Sequence, residues 1–219
     1  MNFLCENLNQ AETLLKKIDK NGIPRSEPFA GRTYRHAPIQ VVGPSKLYYQ
    51  RLLSNFRDIN LLFEKGLDIS NDLQTNIFEA LGDLNGISSA ELLNSENDNS
   101  SENNSSVVIL FTPKDQGKYL FTSDAGPESL DKIIKNYDVK DIHWLCVPHH
   151  GSRKSLTTKI IQYLNPKIAF ISADGSKNFP HKCVIAELRK IGCKPYSTHH
   201  SGNLLYRHEM PSRSGYTYF

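Results

Sequence analysis

The chain has 219 residues, of which 22% are charged and 38% are hydrophobic, as is typical of a globular protein. A formal net charge of +3 does not by itself indicate a nucleic-acid-binding protein. The four cysteines form no CxxC pair, which is consistent with reduced thiols in the cytosol. The opening "MNFLCENLNQ" has no signal-peptide pattern, and no apolar run has membrane-spanning length. We therefore expect a cytoplasmic protein that does not enter a membrane.

The first part of the chain predicts two helices and one strand. Residues 7–21 place apolar side chains on one helical face and end at Gly22. A short strand is expected at Ile39–Val42, and a second helix at 46–64, with its buried side formed by Leu47, Leu52, Phe56, Leu61 and Leu62. Residues 94–106, "NSENDNSSENNSS", are poor in apolar side chains. We expect a flexible surface loop at about 88–106 within a single domain spanning 1–219.

From Val107 onward, strand and helix patterns alternate. The predicted strands are "VVILF", "YLFTS", "DIHWLCV", "KIAFIS" and "KPYST", and the predicted helices are "PESLDKIIKNY", "SLTTKIIQYL" and "HKCVIAELRKI". Alternation at this spacing predicts an α/β layer structure with helices packed on a sheet.

Polar residues follow the ends of these predicted strands. The residues in question are Asp124, His149 with His150, Asp174 with His181, and His199 with His200. The carboxyl ends of strands are where α/β sheets build their sites, and mixed carboxylate and imidazole groups suit Zn²⁺ or a similar divalent metal.

Each of these residues also has an ordinary structural interpretation. "Asp124-Ala-Gly-Pro" suits a turn or a helix cap, and a His-His-Gly sequence on a loop suits solvated side chains. Asp174-Gly175 is first of all a turn signal. The recurrence of such polar residues at one edge of the predicted sheet favours a metal site over a set of unrelated turns.

The segments "GKYLFTSDAG", "DIHWLCVPHHGSRKS", "FPHKCVIAELRKIGC" and "STHHSGNL" resemble the second half of metallo-β-lactamase-fold hydrolases of the ComEC competence-protein type. The resemblance implies the αββα architecture, represented mainly by its second half. It also implies that Asp124 and one of His149 and His150 act as catalytic metal ligands, for Zn²⁺ or Mn²⁺. Two departures are Ser123 in place of a glycine and Phe179 in place of a histidine, so that only His181 of the "HPH" element carries over.

The H-x-H-x-D-H motif of these hydrolases is absent from the chain. The resemblance therefore implies a partial domain whose first half would already be complete where the chain starts. The missing ligands would come from a complementary N-terminal half or from an upstream-encoded chain. Two metals are expected per complete site, with weak or no metal binding by this chain alone.

Two functions from different classes follow. One is a metal-dependent hydrolase of phosphoester or phosphodiester substrates, incomplete and inactive alone. In it Ser152, Arg153, Lys154 and His181 would bind an anionic, phosphate-bearing substrate, since cations beside a metal favour such groups. The other is a non-catalytic remnant that serves as a binding or interaction module.

Overall fold

A computed structural model of the chain describes residues 13–34, 36–56, 88–175, 179–205 and 214–218. The helices are α1 (13–20), α2 (Lys46–Leu53), α3 (Ser89–Asn94), α4 (Ser101–Asn104), α5 (Pro127–Asn136), α6 (Thr158–Leu164), α7 (Lys182–Lys190) and α8 (Thr198–Ser201). The strands are β1 (Thr33–Tyr34), β2 (Ala37–Gly43), β3 (Val108–Phe111), β4 (Tyr119–Phe121), β5 (Trp144–Cys146), β6 (Ile168–Ile171), β7 (Lys194–Ser197), β8 (Asn203–Leu205) and β9 (Tyr216–Tyr218).

A seven-stranded sheet organises the chain, and its strands lie in chain order from β1 to β7. Strands β1 to β4 pair antiparallel, with hairpin connections between β1 and β2 and between β3 and β4, whereas β4 to β7 pair parallel. The helices α5, α6 and α7 connect the parallel strands, as crossovers between such strands require. Strands β8 and β9 form a separate two-stranded parallel sheet. The α/β class expected from the alternation after Val107 is confirmed.

The hydrophobic core lies between the sheet and these helices. Alternate strand residues face it and are almost completely buried: Leu110, Leu120, Leu145 and Ala169. Helix α5 packs against α6, and α6 packs against both α3 and α7.

Local signals in the sequence set the ends of these helices. Helix α5 begins with Pro127 in its first turn, and the Thr157 side chain caps α6 by accepting from the Ile160 N–H. Helix α6 ends at Asn165 in the left-handed conformation, with φ of 43°.

The segment 88–106 differs from the expected flexible loop. It contains α3 and α4, and α3 begins with a capping box between Ser88 and Glu91. The Asn104 side chain is 1% exposed and accepts from the Ser129 N–H, which lies in the first turn of α5. Polar side chains therefore order this segment through hydrogen bonds, which a count of apolar residues does not detect.

Helix α2 ends at Leu53, well before the predicted end at 64, and the predicted buried faces are partly wrong. Helix α2 buries Tyr48 and Leu52, whereas Leu47 is 60% exposed. In α1, Leu14 and Leu15 are exposed. The parts of the two predicted helices at 7–12 and 57–64 lie outside the described residues.

Of the described helices, none combines the length and the apolar character needed to cross a membrane.

We predict that Asn104→Ala lowers the free energy of unfolding by about 2 kcal/mol or more, because its removal leaves the buried Ser129 N–H and the Asp98 carbonyl without their partner. Urea unfolding followed by circular dichroism measures the change. Asn136→Ala is the matched control, since the Asn136 amide is exposed and bonds to the Lys132 carbonyl within its own helix. Equal, small effects of the two substitutions would show that 88–106 does not contribute to the fold.

Candidate functional site

Two turns at the carboxyl edge of the sheet lie side by side. Asp124 follows β4, and His149 follows β5, the parallel neighbour of β4. The His149 N–H donates to the Ser123 carbonyl oxygen at 3.1 Å, which ties the two turns together. Adjacent parallel strands thus bring Asp124 and His149 to one place.

The turn that carries the histidines has an uncommon backbone. His149, His150 and Gly151 have positive φ values of 48°, 55° and 80°, and the first two are strained positions for residues with a Cβ. A Cβ on Gly151 would lie 2.9 Å from Pro180 Cβ. The His181 N–H donates to the Gly151 carbonyl at 3.0 Å, so the turn is held against the start of α7. These contacts hold the turn in its strained conformation. In this conformation the imidazoles of His149 and His150 reach different partners.

His149 is bonded to a carboxylate. Its Nδ1 lies 3.2 Å from Asp98 Oδ2, and its side chain is 29% exposed. The hydrogen bond to Asp98 raises the pKa of His149; burial opposes this, and the nearby charge of Asp124 adds to it. The tautomer that satisfies Asp98 carries its proton on Nδ1, which leaves the Nε2 lone pair for a ligand.

Asp98 is the residue that the sequence analysis missed. Its Oδ1 accepts from Ser100 N–H and Oγ, and its Oδ2 accepts from the Asn103 amide at 2.5 Å. Burial would raise the pKa of Asp98, but the hydrogen bonds from His149, Ser100 and Asn103 hold it far below its usual range. The only local signal was the pattern Asp98-x-Ser100, which is typical of an Asx turn before a helix.

His150 takes a different partner. Its Nδ1 lies 2.7 Å from the Ser172 carbonyl oxygen, and its side chain is exposed. It borders a cavity of about 520 Å³ whose described lining is His149, His150, Ser172, Ala173, Asp174, Phe179 and Thr198. The Thr198 hydroxyl donates to the Ala173 carbonyl at 2.6 Å and fixes the floor of this cavity. The sequence left the two histidines equivalent, whereas the structure separates them by their partners.

The residues that the sequence predicts to bind substrate, Ser152, Arg153 and Lys154, make contacts within the chain. Arg153 is 2% exposed, and its guanidinium donates to Glu96 Oε2 at 2.8 Å and to Ser95 Oγ at 3.2 Å. Lys154 Nζ lies 3.0 Å from the same Glu96 oxygen. Ser152 is buried and accepts from the Lys154 N–H. These contacts fasten the 95–98 segment beside the histidine turn, where a clamp for substrate phosphate was expected.

His181 is buried at the start of α7. Its Nδ1 accepts from the Cys183 N–H at 3.2 Å, so the imidazole caps the helix. The structure therefore gives His181 a capping contact at a position where the sequence predicts a substrate contact.

Asp174 also borders the cavity, whereas His199 and His200 are exposed on α8. The ring of His199 lies against Gly175, where a Cβ would come within 2.1 Å of it. Within the described residues, no set of three or more His, Cys, Asp or Glu side chains is arranged to hold a metal ion.

No family model matches the chain. The chain is similar to ComE operon protein 3 of Bacillus subtilis (strain 168). The two are 31% identical over 114 residues, which cover 51% of this chain and 15% of that protein. The matched segment is thus a small part of ComE operon protein 3, and it spans about half of this chain.

We predict that the pKa of His149 in the metal-free chain lies above the ordinary value of about 6.5, and that Asp98→Asn lowers it more than Asp124→Asn does. Since folding raises this pKa, the stability contributed by His149 is full below about pH 6.5 and is lost as the pH rises through the folded-state pKa. NMR titration of the imidazole carbon protons measures all three midpoints. A His149 midpoint that Asp98→Asn leaves in place would contradict the hydrogen bond.

Proposed function

We propose that this chain provides part of the metal site of a metallo-β-lactamase-type hydrolase acting on phosphoester or phosphodiester substrates. The observation that carries the proposal is the hydrogen bond from His149 to Asp98. Carboxylates commonly support metal-binding histidines in this way, because they fix the tautomer and the orientation of the ring.

The donor set fits a divalent metal in its chemistry. His149 Nε2 and the Asp124 carboxylate are imidazole and carboxylate ligands of the kind that Zn²⁺ and Mn²⁺ accept. The charge of Asp124 contributes to the raised pKa of His149, so the carboxylate lies near enough to interact electrostatically with the imidazole. A metal held there would supply Lewis acidity and would make water acidic enough to ionise near neutral pH.

The other residues of the chain prepare this arrangement. Ser100 and Asn103 orient the Asp98 carboxylate, and Asp98 in turn orients His149. His150 and Phe179 border the cavity beside His149, and the Phe179 ring centroid lies 5.9 Å from that of His149. Phe179 therefore shields one side of the imidazole from water, which strengthens electrostatic interactions at the site.

The architecture agrees with the proposal. A sheet with helices on one face and with its parallel strands ending at the site is what the second half of an αββα sandwich contains. The proposal also draws on the similarity to ComE operon protein 3, which covers half of the chain. Because the H-x-H-x-D-H motif is absent, the proposal requires the remaining ligands to come from another polypeptide or segment.

We predict that the 219-residue chain binds Zn²⁺ weakly, and that this binding depends on particular residues. His149→Ala and Asp124→Ala should abolish it, and Asp98→Asn should weaken it about 10- to 100-fold through loss of the oriented imidazole. His150→Ala is the matched control and should bind like the wild type. Competition with a chromophoric chelator measures the affinities, and metal analysis after dialysis measures the stoichiometry. Binding that survives in His149→Ala but is lost in His150→Ala would reverse the assignment of the ligand.

We further predict that the chain alone does not hydrolyse bis(p-nitrophenyl) phosphate. Addition of a polypeptide that carries the H-x-H-x-D-H motif and completes the domain should restore two metals per complex and turnover that Asp124→Ala abolishes. Turnover by the chain alone would show that its own residues complete a site. A complex that forms without metal or turnover would favour the interaction module.

A further inference from the structure

A second cavity, of about 500 Å³, is bordered by the end of β2 and by the helices α2 and α5. Its volume lies in the range of pockets that bind small molecules. Strand β2 comes very close to α5 here, because a Cβ on Gly43 would lie 2.8 Å from Ile133 Cδ1. None of the described residues that border this cavity is a residue of the metal site proposed above. The cavity between α2 and α5 is therefore a separate place in the fold.

The inner wall of this cavity is apolar and ordered by the core. Val42, Ile133 and Tyr48 border it and are almost fully buried, whereas Leu47 borders it and is exposed. The half-buried Tyr137 adds a second aromatic side chain to the wall. Apolar surface that enters such a cavity leaves water, which is favourable. The wall thus suits a ligand with an apolar body.

The charge at this cavity is positive. Arg51 and Lys132 border it, and none of its described lining residues is acidic. Lys132 Nζ lies 2.9 Å from Glu128 Oε1 and 4.5 Å from the centroid of the Tyr48 ring, so the charge of Lys132 is already paired. The guanidinium of Arg51 has no such partner within the part of the chain that the structure describes. One positive charge is left to balance, and a guanidinium can bind both oxygens of a carboxylate.

A buried hydroxyl also borders this cavity. Ser129 lies in the first turn of α5 and is 2% exposed. Its backbone N–H donates to Asn104 Oδ1, whereas its hydroxyl makes no hydrogen bond to any described residue. Buried polar groups are normally paired, and each exception calls for an explanation. A ligand that offers an acceptor to the Ser129 hydroxyl would supply one.

We propose that the cavity between α2 and α5 binds a small organic carboxylate with an apolar body. The apolar wall holds the body, the Ser129 hydroxyl donates to a carboxylate oxygen, and the long, exposed Arg51 side chain balances the negative charge. The inference does not rest on the proposed function, because it uses no residue of the metal site.

The test is an NMR titration of the methyl-labelled full chain with 2-naphthoate, in EDTA and without added metal. We expect the methyl resonances of Val42 and Ile133 to shift with one common dissociation constant, on the order of 1 mM or below, as is usual for a ligand of this size. The buried Ile171, on β6 and outside the cavity, should not shift. Neutral 2-naphthalenemethanol, which has the same ring system, should bind more weakly.

Ser129→Ala separates binding from folding. Because its hydroxyl has no partner in the described chain, its removal should leave the free energy of unfolding in urea unchanged. The same substitution should weaken the binding of 2-naphthoate about 10-fold, since a hydrogen bond to a charged acceptor is lost. Weaker binding that comes with an equal loss of stability would contradict the assignment of the hydroxyl to the ligand.

Arg51→Gln tests the charge. It should weaken the binding of 2-naphthoate about 3- to 5-fold, as is typical of an exposed ion pair, and leave the binding of 2-naphthalenemethanol unchanged. Lys135→Gln is the matched control, because it removes one positive charge from an exposed position of α5 outside the cavity, and it should bind both compounds like the wild type.

Two results would overturn the proposal. One is the absence of shifts at Val42 and Ile133 up to the solubility limit of 2-naphthoate. The other is equal affinity for the carboxylate and the alcohol that neither Ser129→Ala nor Arg51→Gln changes, because the cavity would then hold apolar groups without recognising a carboxylate. Since every titration is done without metal, its outcome is independent of Zn²⁺ binding at Asp124 and His149.

Discussion

The hydrogen bond between Asp98 and His149 joins parts of the chain that lie far apart in the sequence. Asp98 belongs to a segment of Asn, Ser and Glu residues, and His149 belongs to a strained turn at the end of β5. The same segment is fastened by the pairing of Arg153 with Glu96 and by the Asp98 N–H, which donates to the Lys154 carbonyl at 2.8 Å. The orientation of the imidazole thus depends on a polar segment that is ordered by charge and hydrogen bonding. The loss of any of these contacts would disturb the orientation of the His149 imidazole before it disturbed the packing of the hydrophobic core.

Buried charge has two separate roles here. Arg153 is almost completely buried and its guanidinium is paired, so its function is to hold the segment in place. Breaking such a pair leaves an uncompensated charge in a medium of low polarity, which is strongly destabilising. Asp98, by contrast, remains ionised because it accepts from His149, Ser100 and Asn103, and it directs its charge at the ring of His149. The distinction explains why a basic run after two histidines does not have to be a phosphate clamp.

The sheet imposes the second constraint on the molecule. Its strands β4 to β7 are parallel, and on the face away from α5, α6 and α7 the Phe121 side chain is 40% exposed. Parallel strands generally occur in sheets that are covered on both faces. The same geometry that collects Asp124 and His149 at one edge therefore also places aromatic side chains on the face of the sheet beside them.

The sequence by itself determined the α/β class, the order of strands and helices after Val107, and the collection of Asp124, His149 and His150 at strand ends. These are consequences of local periodicity and of the rule that parallel strands end at one edge. It did not determine the structure of 88–106, the buried face of α2, or the contacts of Arg153 and His181. Only the tertiary structure decided which histidine meets a carboxylate, because Asp98 and His149 are 51 positions apart and no local pattern links them. A hydrogen bond between residues far apart in the chain leaves no periodic pattern in the sequence. Its formation depends on how the helices place the segment that contains Asp98 against the sheet.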